Sequence, residues 1–286
     1  MKKNFLNILL LPLVSLPFIK TLELKAIVPY YSSPTKKILN ENSKKIGKNA
    51  YQLLYIGQIK ESLNLAKLAI SLNKSDANLW ALLADAQIAN NLSKEALNSI
   101  AKGKEINPKM DKFYFAESSI YFKQNKIGMA KKSLLSGLNI NPNNHTGIFQ
   151  LGNIYLIEKN HNKALKKFKK VIEINPKFWP AINNMGLIYF ELNETDLAIK
   201  NFKKAIEIED NAESILALAA SLQNKNNDKK EYILLAKRAL LKNPKYVSFK
   251  YREEQLWGVK LQEATEKLFQ VKELKEDVEF AKFYQN

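Results

Sequence analysis

Residues 148–176 read IFQLGNIYLIEKNHNKALKKFKKVIEINP, and this stretch decides the fold. Ile148, Leu151, Ile154 and Tyr155 recur at helical spacing, and Ala164, Leu165, Phe168, Val171 and Ile172 do so again. Between the two runs EKNHN (158–162) is polar and reads as a turn. Pro176 closes the second run, because proline cannot continue the helical hydrogen-bond ladder and disfavours a helical residue before it. The stretch is a helical hairpin with apolar side chains on more than one face. One such hairpin leaves apolar surface in water, so hairpins of this kind stack.

The rest of the chain repeats it. Pro108, Pro142 and Pro176 are evenly spaced, and Pro244 follows at twice that interval, with Asp210 at the vacant midpoint. On that register one position always holds a small residue: Ala50, Ala84, Ser118, Gly152, Gly186 and Ala220. A second reads Ser62, Ala96, Ala130, Ala164, Ala198 and Tyr232. Close approach of two helices excludes large side chains and accounts for both series, Tyr232 apart. Large residues are as regular: Trp80, Tyr114, Ile148, Ile182 and Leu216 share one slot, and Tyr121, Tyr155 and Tyr189 another.

This pattern resembles the tetratricopeptide repeat family, whose order of large residue, Leu, Gly, Tyr, Ala, Phe, Ala and Pro is met closely by Ile148, Leu151, Gly152, Tyr155, Ala164, Phe168, Val171 and Pro176. Ile182, Met185, Gly186, Tyr189, Ala198, Phe202 and Ala205 meet it again, with Asp210 where proline is usual. The resemblance implies an all-α fold, a right-handed alpha-alpha superhelix, with six units at 43–76, 77–110, 111–144, 145–178, 179–212 and 213–246. It also implies that the first helix of each unit lines a concave groove in which partner proteins lie. Carried over by position, the groove residues are Lys112, Phe115, Ser119 and Phe122 in the third unit and Phe149, Asn153, Leu156 and Ile157 in the fourth. Asn183, Asn184, Leu187, Phe190 and Glu191 follow in the fifth. Asn153 and Asn184 match the asparagines with which chaperone-docking members grip a C-terminal carboxylate. Phe149, Ser214 and Leu218 replace that clamp's basic residues, so this use of the groove is not expected.

The two ends differ from the repeats. Met1–Asn4 is a short basic start, and Phe5–Ile19 is free of charge; as a helix it would reach about 22 Å, short of the roughly 30 Å hydrocarbon layer. Residues 1–26 are therefore expected to be a signal peptide or membrane anchor, with 27–42 as linker. This places the chain in an exported or membrane-associated compartment (periplasm, lumen or envelope) in preference to the cytoplasm. Residues 247–286 carry seven basic and eight acidic side chains and read as capping helices, with Leu256, Leu261, Leu268, Val271, Leu274, Val278 and Phe280 apolar.

Composition narrows function. The net charge of +17 is almost all lysine, Arg238 and Arg252 being the only arginines. Arginine forks are what nucleic-acid recognition favours, so the lysine excess reads first as a solvated basic surface and next as an attraction to acidic proteins or an anionic membrane surface, ahead of nucleic acid. Cysteine is absent, and His145 and His161 stand about 24 Å apart along a helix, too far to share a metal ion. No phosphate loop or HExxH motif occurs, and no small-molecule substrate, cofactor or catalytic residue is expected. The expectation is a protein-interaction scaffold, with assembly of a membrane-associated complex as its role. The alternative is a basic membrane-surface module without a peptide groove, which a continuous lysine stripe on the convex face would favour.

Overall fold

The computed structural model describes residues 33–284, which form fifteen α-helices and no strand. The N-terminal apolar run and the start of its linker lie outside the described residues. The first twelve helices pair as antiparallel hairpins: α1 (Lys36–Tyr55) with α2 (Ile59–Leu72), α3 (Ala77–Ala89) with α4 (Ser93–Ile106), and α5 (Asp111–Lys123) with α6 (Ile127–Ile140). Then come α7 (His145–Ile157) with α8 (His161–Ile174), α9 (Trp179–Glu191) with α10 (Thr195–Ile208), and α11 (Ala212–Asn224) with α12 (Lys229–Lys242). Each second helix up to α10 also packs on the first helix of the next hairpin, and the stack is a right-handed superhelix.

Local chemistry explains the hairpins. Gly57, Asn91, Asn125, Lys159 and Asn193 recur at the proline interval, each at the inner turn with φ between 56° and 80°. Asparagine tolerates this left-handed backbone better than most residues, and it ends the first helix. The next N–H then bonds back five residues, as Asn160 N to Tyr155 O at 2.8 Å and Glu194 N to Tyr189 O at 2.8 Å. The small positions sit where the helices of a hairpin touch: a Cβ added to Gly152 or Gly186 would collide with the ring of Phe168 or Phe202. Where serine replaces glycine or alanine its hydroxyl is satisfied across the hairpin, Ser118 Oγ donating to Ala130 O at 2.9 Å and Ser62 Oγ to Ala50 O at 2.7 Å.

Two boundaries differ from the sequence reading. The first helix begins at Lys36, inside the expected linker, because Thr35 caps it by accepting from Ile38 N. At the other end the chain makes two short 3-10 turns (Pro244–Val247 and Lys272–Leu274) and three helices, α13 (Phe249–Glu254), α14 (Val259–Phe269) and α15 (Lys275–Tyr284). Leu261, Leu268, Leu274 and Val278 enter the core, whereas Phe280 is exposed. α15 packs on α12, but α14 packs on the first helices α11 and α9. The C-terminal segment thus does more than cover the last hairpin.

Candidate partner-binding groove

The inner face is open where α5 and α7 meet. A cavity of about 430 Å³ lies there, lined by Ser119, Phe122 and Lys123 from α5, by Thr146, Phe149, Gln150 and Asn153 from α7, and by Phe178 behind them. Phe149 is held edge-on to Phe178 at 5.1 Å and tilted against Phe168 at 5.6 Å, so its position is set by the stack while part of it faces the cavity. Phe122 is 39% exposed at the rim. Gln150 Oε1 is the one buried side-chain polar atom among the described residues with no hydrogen-bond partner. A buried acceptor left unpaired costs free energy on the order of 1–3 kcal/mol, which a donor from a bound segment could recover.

A second cavity of about 500 Å³ lies beside it, between Leu156 and Ile157 of α7, Leu187 and Glu191 of α9, and Leu256, Trp257 and Val259 of the C-terminal segment. Nearer the N-terminus Lys112 is exposed and lines a third, of about 350 Å³, with Lys44, Lys48, Tyr51 and Asp85. The walls around Asp85 withdraw enough water to push its carboxyl up to about 6, against the pull of Lys112, although the side chain still reaches solvent.

Over α9 and α11 the groove is filled. Glu191 accepts from Leu261 N at 3.0 Å and Lys260 N at 3.3 Å, and Lys260 Nζ reaches Glu191 O at 2.7 Å, seating the start of α14 on the end of α9. At the other end Glu213 accepts from Asn183 Nδ2 at 2.9 Å, Trp257 Nε1 at 3.3 Å and the Tyr246 hydroxyl at 3.3 Å. Burial dominates these bonds and pushes the Glu213 carboxyl up to about 7. Ser214 Oγ donates to Asn183 Oδ1 at 2.8 Å, and Asn184 Nδ2 donates to Asn153 Oδ1 at 2.9 Å. With the Asn183 to Asn184 contact at 3.3 Å, a line of polar side chains runs from the open cavity to beneath Trp257.

Placement of the expected groove residues follows from this division. Lys112, Ser119, Phe122, Phe149, Asn153 and Leu156 line open cavities. Phe115 does not: its ring is wedged against Gly137 and Gly147, whose missing side chains make the slot. Asn183, Asn184 and Phe190 are buried, because the C-terminal segment and the asparagine line cover them, and Leu187, also buried, forms part of the wall of the second cavity. Both histidines are half-buried, His145 lying edge-on to Phe178 at 5.3 Å. The sequence reading missed Gln150, Phe178, Glu213, Tyr246 and Trp257. Glu213 carried no local signal, and only the non-repeating Trp257 hinted at a specific contact.

Residues 111–144, 146–178 and 179–211 match models of the tetratricopeptide repeat, so the third, fourth and fifth hairpins are tetratricopeptide repeats within a solenoid of that class. The chain superposes on Pseudomonas aeruginosa PilF with a TM-score of 0.64 at 19% identity, over 76% of this chain and 98% of that one. The Cut9–Hcn1 hetero-tetramer of the APC/C gives 0.64 at 14% identity, over 77% and 45%. MamA of Desulfovibrio magneticus RS-1 gives 0.50 at 16%, over 59% and 96%. At such identities the likeness speaks for the fold alone. No curated protein matches the chain by sequence.

Proposed function

We propose that the chain is a protein-interaction scaffold whose partner inserts a segment into the groove over α5 and α7, in a membrane-associated or exported setting where it helps assemble a larger complex. One observation carries the choice of site: an open cavity walled by Phe122, Phe149 and Phe178 holds the unpaired Gln150 acceptor. Apolar walls supply affinity for a large side chain, while Gln150 and Asn153 supply hydrogen-bonding groups for a polar or backbone group beside it. Repeats of this class support protein binding as the general role. The basic start and charge-free run Phe5–Ile19 support the membrane setting. Glu213, a carboxyl with a raised pKa, has its oxygens taken up by Asn183, Trp257 and Tyr246, which favours a structural role over acid-base chemistry.

The test is photo-crosslinking in cells from position 146, at the cavity mouth, beside the same protein carrying Phe122→Asp and Asn153→Ala. A discrete set of proteins that the double variant loses supports the groove. Recovery of the same set in equal yield sinks it.

A further inference from the structure

The outer face carries a pattern that the groove does not use. Lys166, Lys169 and Lys170 lie at i, i+3 and i+4 on α8 and form one ridge; Lys200, Lys203 and Lys204 occupy the equivalent positions of α10, and Lys237 and Arg238 two of the three on α12. Lys132 extends the ridge onto α6. The contact of Lys203 on α10 with Glu231 on α12 at 3.7 Å shows that neighbouring second helices bring these rows side by side. On α8 no lysine has an acidic partner among the described residues, and Lys167 is held below the usual lysine range by burial and by Lys170 and Lys166. Relief within α8 is partial: Glu173 follows Lys169 at i+4 and Lys170 at i+3, and Lys170 Nζ donates to Pro142 O at 3.3 Å.

Beside the charge lies exposed apolar surface. Leu234 and Leu241 flank Lys237 and Arg238 on the same stripe of α12 and are 67% and 70% exposed. Leu241 shares a shallow cleft with Phe280 of α15, itself 53% exposed. Most acidic side chains nearby are paired, Asp277 with Lys237 at 3.0 Å, Glu273 with Lys229 at 2.7 Å, Glu279 with Lys282 at 2.8 Å and Asp210 with Arg238 at 2.6 Å, while Glu276 lines the cleft without an ion pair among the described residues, so the free positive charge lies on α8 and α10.

We propose that this convex face, the lysine ridge of α8 and α10 continuing into Leu234, Leu241 and Phe280, docks on an anionic phospholipid bilayer. Lysine ammoniums are compact point charges suited to a diffuse layer of headgroups, and exposed leucine and phenylalanine beside them enter the headgroup and acyl boundary. Nucleic-acid readout would call for arginine forks and stacking aromatics within the ridge, and the ridge of α8 and α10 has neither. An acidic protein would have to match both the spread of lysines over three helices and the apolar margin, whereas a fluid anionic bilayer meets both with one surface. The groove is lined by first helices and the ridge lies on second helices, so partner and membrane would use separate surfaces; the two functions read from the sequence as alternatives become two sides of one proposal.

The experiment is co-flotation of the full-length protein with phosphatidylcholine vesicles, with or without phosphatidylglycerol, beside K166E/K169E/K200E/K204E and, separately, L241D/F280D. Binding to the uncharged vesicles reports the N-terminal apolar run and is the baseline. The expected result is extra binding to anionic vesicles that fades with salt, falls at least about a hundredfold in the lysine variant, and weakens in the second variant. K44E/K48E, on the groove side, should bind as the parent does. Equal binding to both vesicle types, or an unchanged lysine variant of normal helicity, overturns the proposal. So does salt-sensitive capture by polyglutamate or DNA without a gain on anionic vesicles.

Discussion

The inner faces over α5/α7 and over α9/α11 come from the same repeating unit, yet the first is open and the second is occupied by the chain's own Tyr246, Trp257 and α14. The difference lies in a few positions. Glu191 offers two carboxylate oxygens to the backbone of Lys260 and Leu261, where the equivalent residue of α7 is the apolar Ile157. Glu213 stands in the first turn of α11, below three donors. A repeat supplies a generic surface; single acidic residues decide where that surface closes on itself.

The largest effect tests whether the filled half depends on its own clamp. Arg252 is fully buried and binds Gln262 Oε1 at 2.7 Å, Tyr246 O at 2.8 Å and Val247 O at 3.0 Å, with Glu266 as its ion-pair partner. Arg252→Ala strands those acceptors and should cost about 3–5 kcal/mol in denaturant unfolding. Amide exchange should accelerate through α9–α15 while α1–α6 keep their protection, because repeats couple to neighbours only. Uniform loss along the chain would break the comparison.

Gly152→Ala and Gly186→Ala ask whether the two hairpins are otherwise equal. Each new Cβ meets a phenylalanine ring, so each should cost about 1–3 kcal/mol by thermal or denaturant unfolding. Matching costs locate the difference between the halves in the groove; a much larger cost at Gly186 would place it in the hairpin itself.

The most local effect is pH-dependent. Glu213 has its folded pKa raised to about 7 from an ordinary 4.5, so the folded state holds its proton more tightly than the unfolded state does. Its contribution is therefore most favourable below about pH 4.5, falls as pH rises, and levels off above about pH 7. Indole N–H signals in NMR should show Trp257 loosening across that window, and Glu213→Gln should flatten the response. A Trp257 signal with the same pH profile in both proteins would remove Glu213 from the docking.

Much of this was legible in the residues. The prolines, the small positions and the helical spacing of 148–172 determined the hairpin, its period and the class of solenoid, because these are local constraints that recur in every unit. The family resemblance built on them implied Phe122, Phe149 and Asn153 as groove residues, and these line the open cavity. The same carry-over misplaced Phe115, since the glycines that receive its ring, Gly137 and Gly147, belong to α6 and to α7 of the next hairpin.

What the sequence by itself determined was therefore a stack of hairpins with an inner face suited to holding proteins. The tertiary structure alone decided how much of that face remains open. The bonds that fill it join Trp257 to Glu213 and Leu261 to Glu191, pairs far apart in the chain, and no periodic pattern encodes a contact made once.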